Sequence, residues 1–98
     1  METLTTRQQM IILLQQERLG ARDISQTLGL PEKEVYKHLE HIASTARRLG
    51  YRLETEPKAA CLACGFIFKE RQRLTPPGRC PKCRATHLSE PLFYLVPA

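Results

Sequence analysis

This 98-residue chain has no apolar run longer than Met10–Leu14. A membrane-spanning helix needs about 20 apolar residues, so none is expected. The N-terminus METLTTRQQ lacks the basic-then-apolar layout of a secretory signal, which points to a cytoplasmic protein. There are no internal repeats and no low-complexity tracts. No Gly-rich phosphate loop and no nucleophile motif is present, and the Ser and Thr residues are scattered without a base nearby. His38 and His41 lie three apart in a helical segment with no carboxylate or cysteine motif beside them, and they read as surface residues. The expectation is a protein that is not an enzyme and has no evident small-molecule substrate.

Acidic residues are scarce in one half only. Residues 1–60 carry nine Lys/Arg against eight Asp/Glu, and residues 61–98 carry six against two. The positive excess of the C-terminal part suggests nucleic acid or another polyanion.

The first half reads as helical. From Thr5 to Arg18, Met10, Ile11, Leu13 and Leu14 recur with helical spacing, Thr5 or Thr6 can cap the start, and Gly20 lies just past the end. Arg22–Leu28 is a shorter helix with Ile24 and Leu28 one turn apart. After Gly29, Pro31 suits the first turn of a third helix, with Glu32 and Glu34 favouring the same end. Val35, Leu39, Ile42, Ala46 and Leu49 form its apolar stripe, and Gly50 ends it. Tyr51–Glu56 alternates as a strand until Pro57, and Leu92–Val96 is a second strand candidate. The two strands flank the cysteine region like the arms of a hairpin.

All four cysteines lie in CLACGFIFKERQRLTPPGRCPKC, as Cys61-x2-Cys64 and Cys80-x2-Cys83 with fifteen residues between the pairs. This spacing is that of a four-cysteine zinc site. Each C-x-x-C turn brings two sulfurs to one side. Gly65 lets the chain turn after the first pair, and Pro81 stiffens the second. Four thiolates leave no coordination position for water or substrate, so one structural zinc ion is expected. Iron in a rubredoxin-like site, a redox-switched pair of disulfides and a softer-metal sensor use the same residues and are the alternatives. His87 reads as a strand histidine, since four sulfurs already saturate the ion.

The stretch ARDISQTLGLPEKEVYKHLEHI resembles the helix-turn-helix of winged-helix transcription regulators. Ser25 stands four residues before the turn Gly29, where close helix packing needs a small side chain. Leu30 enters the core, and Val35 and Leu39 are the buried residues of the second helix. The resemblance implies that the helix from Pro31 reads the major groove of double-stranded DNA. Its outer face carries Lys33, Lys37, Glu40, Ser44 and Arg47, with Tyr36 at the edge. The three glutamates Glu32, Glu34 and Glu40 repel phosphate and favour a protein-contact role for the same face.

Taken whole, the chain resembles the small prokaryotic predicted transcriptional regulators that join a winged helix-turn-helix to a rubredoxin-like zinc ribbon. GLPEKEVYKHLEHI and the cysteine stretch carry the likeness. It implies an α+β fold of three helices and a small antiparallel sheet, with the ribbon inserted at the wing. The expected divisions are residues 1–56, a helix-turn-helix core with the first wing strand; 57–90, the ribbon; and 91–98, the returning strand. The expected DNA contacts are Lys33, Tyr36, Lys37 and Arg47 on the helical part and Lys69, Arg71 and Arg73 on the ribbon. Arg79, Lys82 and Arg84 add to the positive loop. Arg71 and Arg73 are expected on one face of a strand. Winged-helix regulators often form homodimers, though this chain lacks an obvious extra dimerisation helix. Other functions open to the chain are a zinc-stabilised interaction module of the transcription machinery and an iron electron carrier.

Overall fold

The computed structural model describes residues 3–71 and 73–98. Three helices come first, α1 (Thr6–Gln16), α2 (Ala21–Leu28) and α3 (Glu32–Thr45), and a 3₁₀ turn over Ala46–Leu49 follows. Two strands, β1 (Tyr51–Thr55) and β2 (Phe93–Pro97), pair antiparallel, with Leu53 opposite Leu95. The cysteine region is inserted between them. The chain is therefore α+β, as expected, with three helices and a small antiparallel sheet.

Local chemistry sets the helix starts. The Thr5 hydroxyl accepts the Gln8 N–H at 3.2 Å while the Gln8 side chain accepts the Thr5 N–H at 2.8 Å. This reciprocal cap satisfies two donors that the first turn cannot. At α2, the Asp23 carboxylate accepts the Gly20 N–H at 3.0 Å. Gly29 ends α2 at φ 68°, a left-handed conformation that suits glycine. Ser25 closes the following turn from both sides. Its carbonyl accepts the Leu30 N–H at 3.0 Å, and its hydroxyl donates to the Leu30 carbonyl. The small residue expected here for packing thus also supplies a hydrogen bond.

Several boundaries differ from expectation for definable reasons. The first helix stops at Gln16, short of Arg18, because Leu19 is extended and exchanges two backbone hydrogen bonds with Phe93, at 2.9 and 2.8 Å. Gly20 accordingly serves as the N-cap of α2. Pro31 is the N-cap of α3, not its first helical residue, with its carbonyl accepting the Glu34 and Val35 N–H groups. The third helix tightens after Thr45, where the Ser44 and Thr45 hydroxyls both bond to the His41 carbonyl at 3.0 Å. Such back-bonding competes with the helical ladder. Gly50, at φ 84°, ends the 3₁₀ turn that follows.

The core collects one face from each element: Met10 and Leu14 from α1, Ala21 and Ile24 from α2, Val35, Leu39 and Ile42 from α3, Ala46, and Phe93 and Leu95 from β2. Burial of each larger apolar side chain contributes about 1.5–3 kcal/mol. From the ribbon loop, Leu74 packs against this core. The molecule is elongated, 51 × 29 × 19 Å. Among the described residues, no helix is long and apolar enough to cross a membrane.

Candidate functional site

The ribbon is a small three-part ladder. Residue Ala60 bridges Ile67 on one side, and Cys61 bridges Leu88 on the other. The Ser89 N–H donates to the Ala60 carbonyl at 2.8 Å, and the Ala60 N–H donates to the Ser89 hydroxyl at 2.9 Å. Phe66 and Phe68 meet edge to face with centroids 5.1 Å apart. Leu62 and Ile67 are exposed, so little of the ribbon's apolar material is buried and the ribbon would be stabilised by a cross-link.

The cysteines provide it. Each pair sits on the same turn. In the first, the Cys61 N–H donates to the Phe66 carbonyl at 2.7 Å and the Gly65 N–H to the Cys61 carbonyl at 2.9 Å. In the second, the Cys80 N–H donates to the Ala85 carbonyl and the Arg84 N–H to the Cys80 carbonyl, both at 2.9 Å. The Lys82 N–H also points at the Cys80 sulfur, 3.4 Å away.

The two turns face one another. Cys61 Sγ lies 3.5 Å from Cys83 Sγ, and Cys64 Sγ lies 3.7 Å from Cys80 Sγ. All four sulfurs lie within 4.8 Å of one another. A tetrahedral ion with bonds of about 2.3 Å requires sulfur–sulfur edges of roughly 3.8 Å. The donor set therefore fits zinc in number, type and spacing. The four cysteines are free thiols in this arrangement. Cys61 and Cys80 are buried, and Cys64 and Cys83 reach the surface. His87 is exposed, lies outside the cluster and belongs to no strand, whereas the sequence reads it as a strand histidine.

The thiols resist joint deprotonation. Burial pushes the Cys61 thiol up, but the Cys64 and Ala63 backbone N–H groups and the Cys83 and Cys64 thiols outweigh it and bring it down to about 7. Cys80 is opposed by burial in the same way and lowered by the Cys83 and Lys82 amides and the neighbouring thiols. Cys83 goes the other way. The Ala85 amide lowers it, yet Cys61, burial, Cys64 and Cys80 together raise it to about 12. Four negative sulfurs do not coexist here unless a bound cation offsets their repulsion.

Of the residues expected to meet DNA, Lys33, Lys37 and Arg47 are exposed on the outer face of α3 and its 3₁₀ extension, together with Glu40 and Ser44. Lys37 Nζ is 3.6 Å from Glu34 Oε1, an exposed one-turn pair that contributes at most about 0.5 kcal/mol. Tyr36 lies apart from this row. It is half-buried in a cleft where α3 meets Arg22 of α2 and Pro76, Pro77, Thr86, Leu88 and Glu90 of the ribbon. Burial, then Glu90 and Glu32, push its hydroxyl up to about 12.

On the ribbon, Lys69, Arg73, Arg79, Lys82 and Arg84 are exposed. Arg71 is partly buried, and its Nε and Nη2 donate to the Thr75 carbonyl at 3.1 and 2.9 Å. Neither Arg71 nor Arg73 belongs to a strand, contrary to expectation. Arg71 instead ties the loop to itself through the Thr75 carbonyl. Gln72, between them, lies outside the described residues.

Sequence reasoning missed the joint between the two parts. Glu90, where the chain leaves the ribbon, accepts the Arg22 N–H at 2.8 Å and so caps α2 from outside. A side chain at Gly20 would overlap the Glu90 carboxyl group. The adjacency of a lone acidic residue to Pro91 gave no signal of this contact, which depends on the strand pairing. Within the helical part, the Arg18 guanidinium lies 4.6 Å over the Tyr94 ring of β2.

Comparison with known proteins matches the chain in two parts. Residues 5–53 match the family model PF0610-like, N-terminal, and residues 58–96 match the PF0610 rubredoxin-like zinc beta-ribbon domain. The solution NMR structure of protein PF0610 from Pyrococcus furiosus is 30% identical, with a TM-score of 0.80 over 100% of this chain and 94% of that one. No curated protein matches.

Proposed function

The chain belongs to the PF0610-like family, and from that footing we propose that it is a DNA-binding transcriptional regulator, a winged helix-turn-helix in which a zinc ribbon stands in the place of the wing. The observation that carries this reading is the position of the ribbon. It leaves β1 at Thr55, returns through Pro91 into β2, and packs beside the first turn of α3. The extended Leu19, bridged to Phe93 between the first two helices, supports this reading, since a winged helix has a short strand there.

In this mechanism α3 enters the major groove with Lys33, Lys37 and Arg47 outward, while Lys69 and Arg73 reach the phosphates. The weak pairing of Lys37 with Glu34 leaves its ammonium free to exchange partners. Cys61, Cys64, Cys80 and Cys83 would hold a zinc ion, which would supply a structural cross-link with no coordination position left open. Glu32, Glu34 and Glu40 favour a second reading, contact with a basic protein surface through the same helix.

The test is binding of the zinc-loaded chain to duplex DNA, followed by fluorescence anisotropy across a salt series. Two or three phosphate contacts should give a log–log slope of about −1.8 to −2.7. An absence of binding at low salt transfers the proposal to the protein-contact reading.

A further inference from the structure

We propose that the outer edge of β1 is a self-complementary surface that joins two copies of this chain into a four-stranded sheet across a two-fold axis at Leu53. The inference does not depend on DNA binding.

Hydrogen-bond parity identifies the free edge. Both polar backbone groups of Phe93 are bonded to Leu19, so Phe93 has none left for its cross-strand neighbour Thr55. The Glu56 N–H donates to the Leu92 carbonyl at 2.9 Å, and the Ala98 N–H to the Gly50 carbonyl at 3.0 Å. Antiparallel ladders alternate, so Arg52 and Glu54 bond inward to β2, and Tyr51, Leu53 and Thr55 direct their N–H and C=O groups outward. Among the described residues, one bond is made on that edge, from Lys58 Nζ to the Thr55 carbonyl at 3.3 Å. No proline or glycine interrupts residues 51–55, so the strand has neither of those devices to discourage pairing.

The side chains select the partner and the register. A two-fold axis can also pass through Arg52 or Glu54, but each would then face its own copy, like charge against like, which leaves Tyr51, Leu53 and Thr55. Centring on Thr55 places Glu54 opposite the partner's Glu56, twice, and like charges directly opposite are unfavourable. Centring on Tyr51 places Arg52 opposite the partner's Gly50 and pairs no charges. Centring on Leu53 places Arg52 opposite the partner's Glu54 and Glu54 opposite the partner's Arg52. Both pairs then fall at non-hydrogen-bonded positions, where side chains approach most closely. Within one chain, Arg52 and Glu54 already pair along the same face, with their side chains 59% and 36% exposed. A second copy therefore meets charges that are accessible and already aligned.

The experiment is sedimentation equilibrium of the full zinc-loaded chain without DNA. A species of about twice the 11.2 kDa chain mass is expected at high concentration. Arg52→Glu and Glu54→Arg should each weaken dimerisation at least tenfold, since each places like charges opposite one another. An equimolar mixture of the two variants should recover the dimer as a heterodimer, because every opposed pair is again of opposite sign. Circular dichroism checks that both variants remain folded, and the mixture provides the same check in solution. A wild-type chain that stays monomeric overturns the proposal. So does a dimer unaffected by either substitution, or a mixture that associates no better than its components.

Discussion

Gly65 and Arg84 occupy the same place in the two cysteine turns, each four residues after the leading cysteine and each left-handed, at φ 82° and φ 63°. Glycine adopts this conformation without steric cost, and arginine does so at about 1–2 kcal/mol. The second turn therefore stores strain that the first does not.

Arg84→Gly should relieve that strain. The gain is up to about 1 kcal/mol, because glycine also loses more freedom on folding. Resistance of the zinc-loaded protein to thermal unfolding measures it. If Arg84 also contacts phosphate, the same variant flattens the salt dependence of DNA binding by up to about 0.9. The two readouts separate a conformational role from an electrostatic one.

Glu90 and Gly20 make a second testable pair. Glu90→Ala removes an external carboxylate cap from α2 and should cost about 1 kcal/mol in thermal or denaturant unfolding. Gly20→Ala should act on the same contact by displacing the Glu90 carboxyl from its position near the Arg22 N–H. The double variant should then lose less than the sum of the single losses. Full additivity would mean that the two residues act independently.

Metal removal should separate the two parts of the chain. The core joins helices α1 to α3 with β2, and Leu74 is its contribution from the ribbon loop. Chelation should leave most of the helical circular dichroism intact while the Phe66–Phe68 aromatic environment is lost. Complete loss of helix on chelation would contradict this division.

The division itself was legible in the sequence because its signals are local. Cysteine spacing, the stripe Val35–Leu39–Ile42 and the alternation of Tyr51–Thr55 each depend on residues a few positions apart. What escaped was long-range. The extended Leu19 is set by Phe93 and the cap on α2 by Glu90. The left-handed Arg84 had a local signal, its equivalence with Gly65, but arginine itself gives no indication of the conformation.

Arg71 and Arg73 should now behave differently, although they are alike in sequence. Arg73→Ala removes an exposed cation and should flatten the salt slope by up to about 0.9 without altering stability. Arg71→Ala removes two hydrogen bonds to Thr75 and should destabilise the ribbon by roughly 1–3 kcal/mol. Chelator competition reads the second effect, and anisotropy titration reads the first. Equal effects from both substitutions would count against the separate roles.

The most direct measurement is selection of bound sequences from a random DNA pool, performed side by side with the zinc-loaded chain and its Lys37→Ala variant. If α3 reads bases, the unaltered chain enriches one motif. The variant loses about 1–3 kcal/mol of preference for that motif while still binding duplex DNA through the ribbon. Absence of any enriched motif at low salt, or a variant that selects the same motif with undiminished preference, would contradict base reading through Lys37.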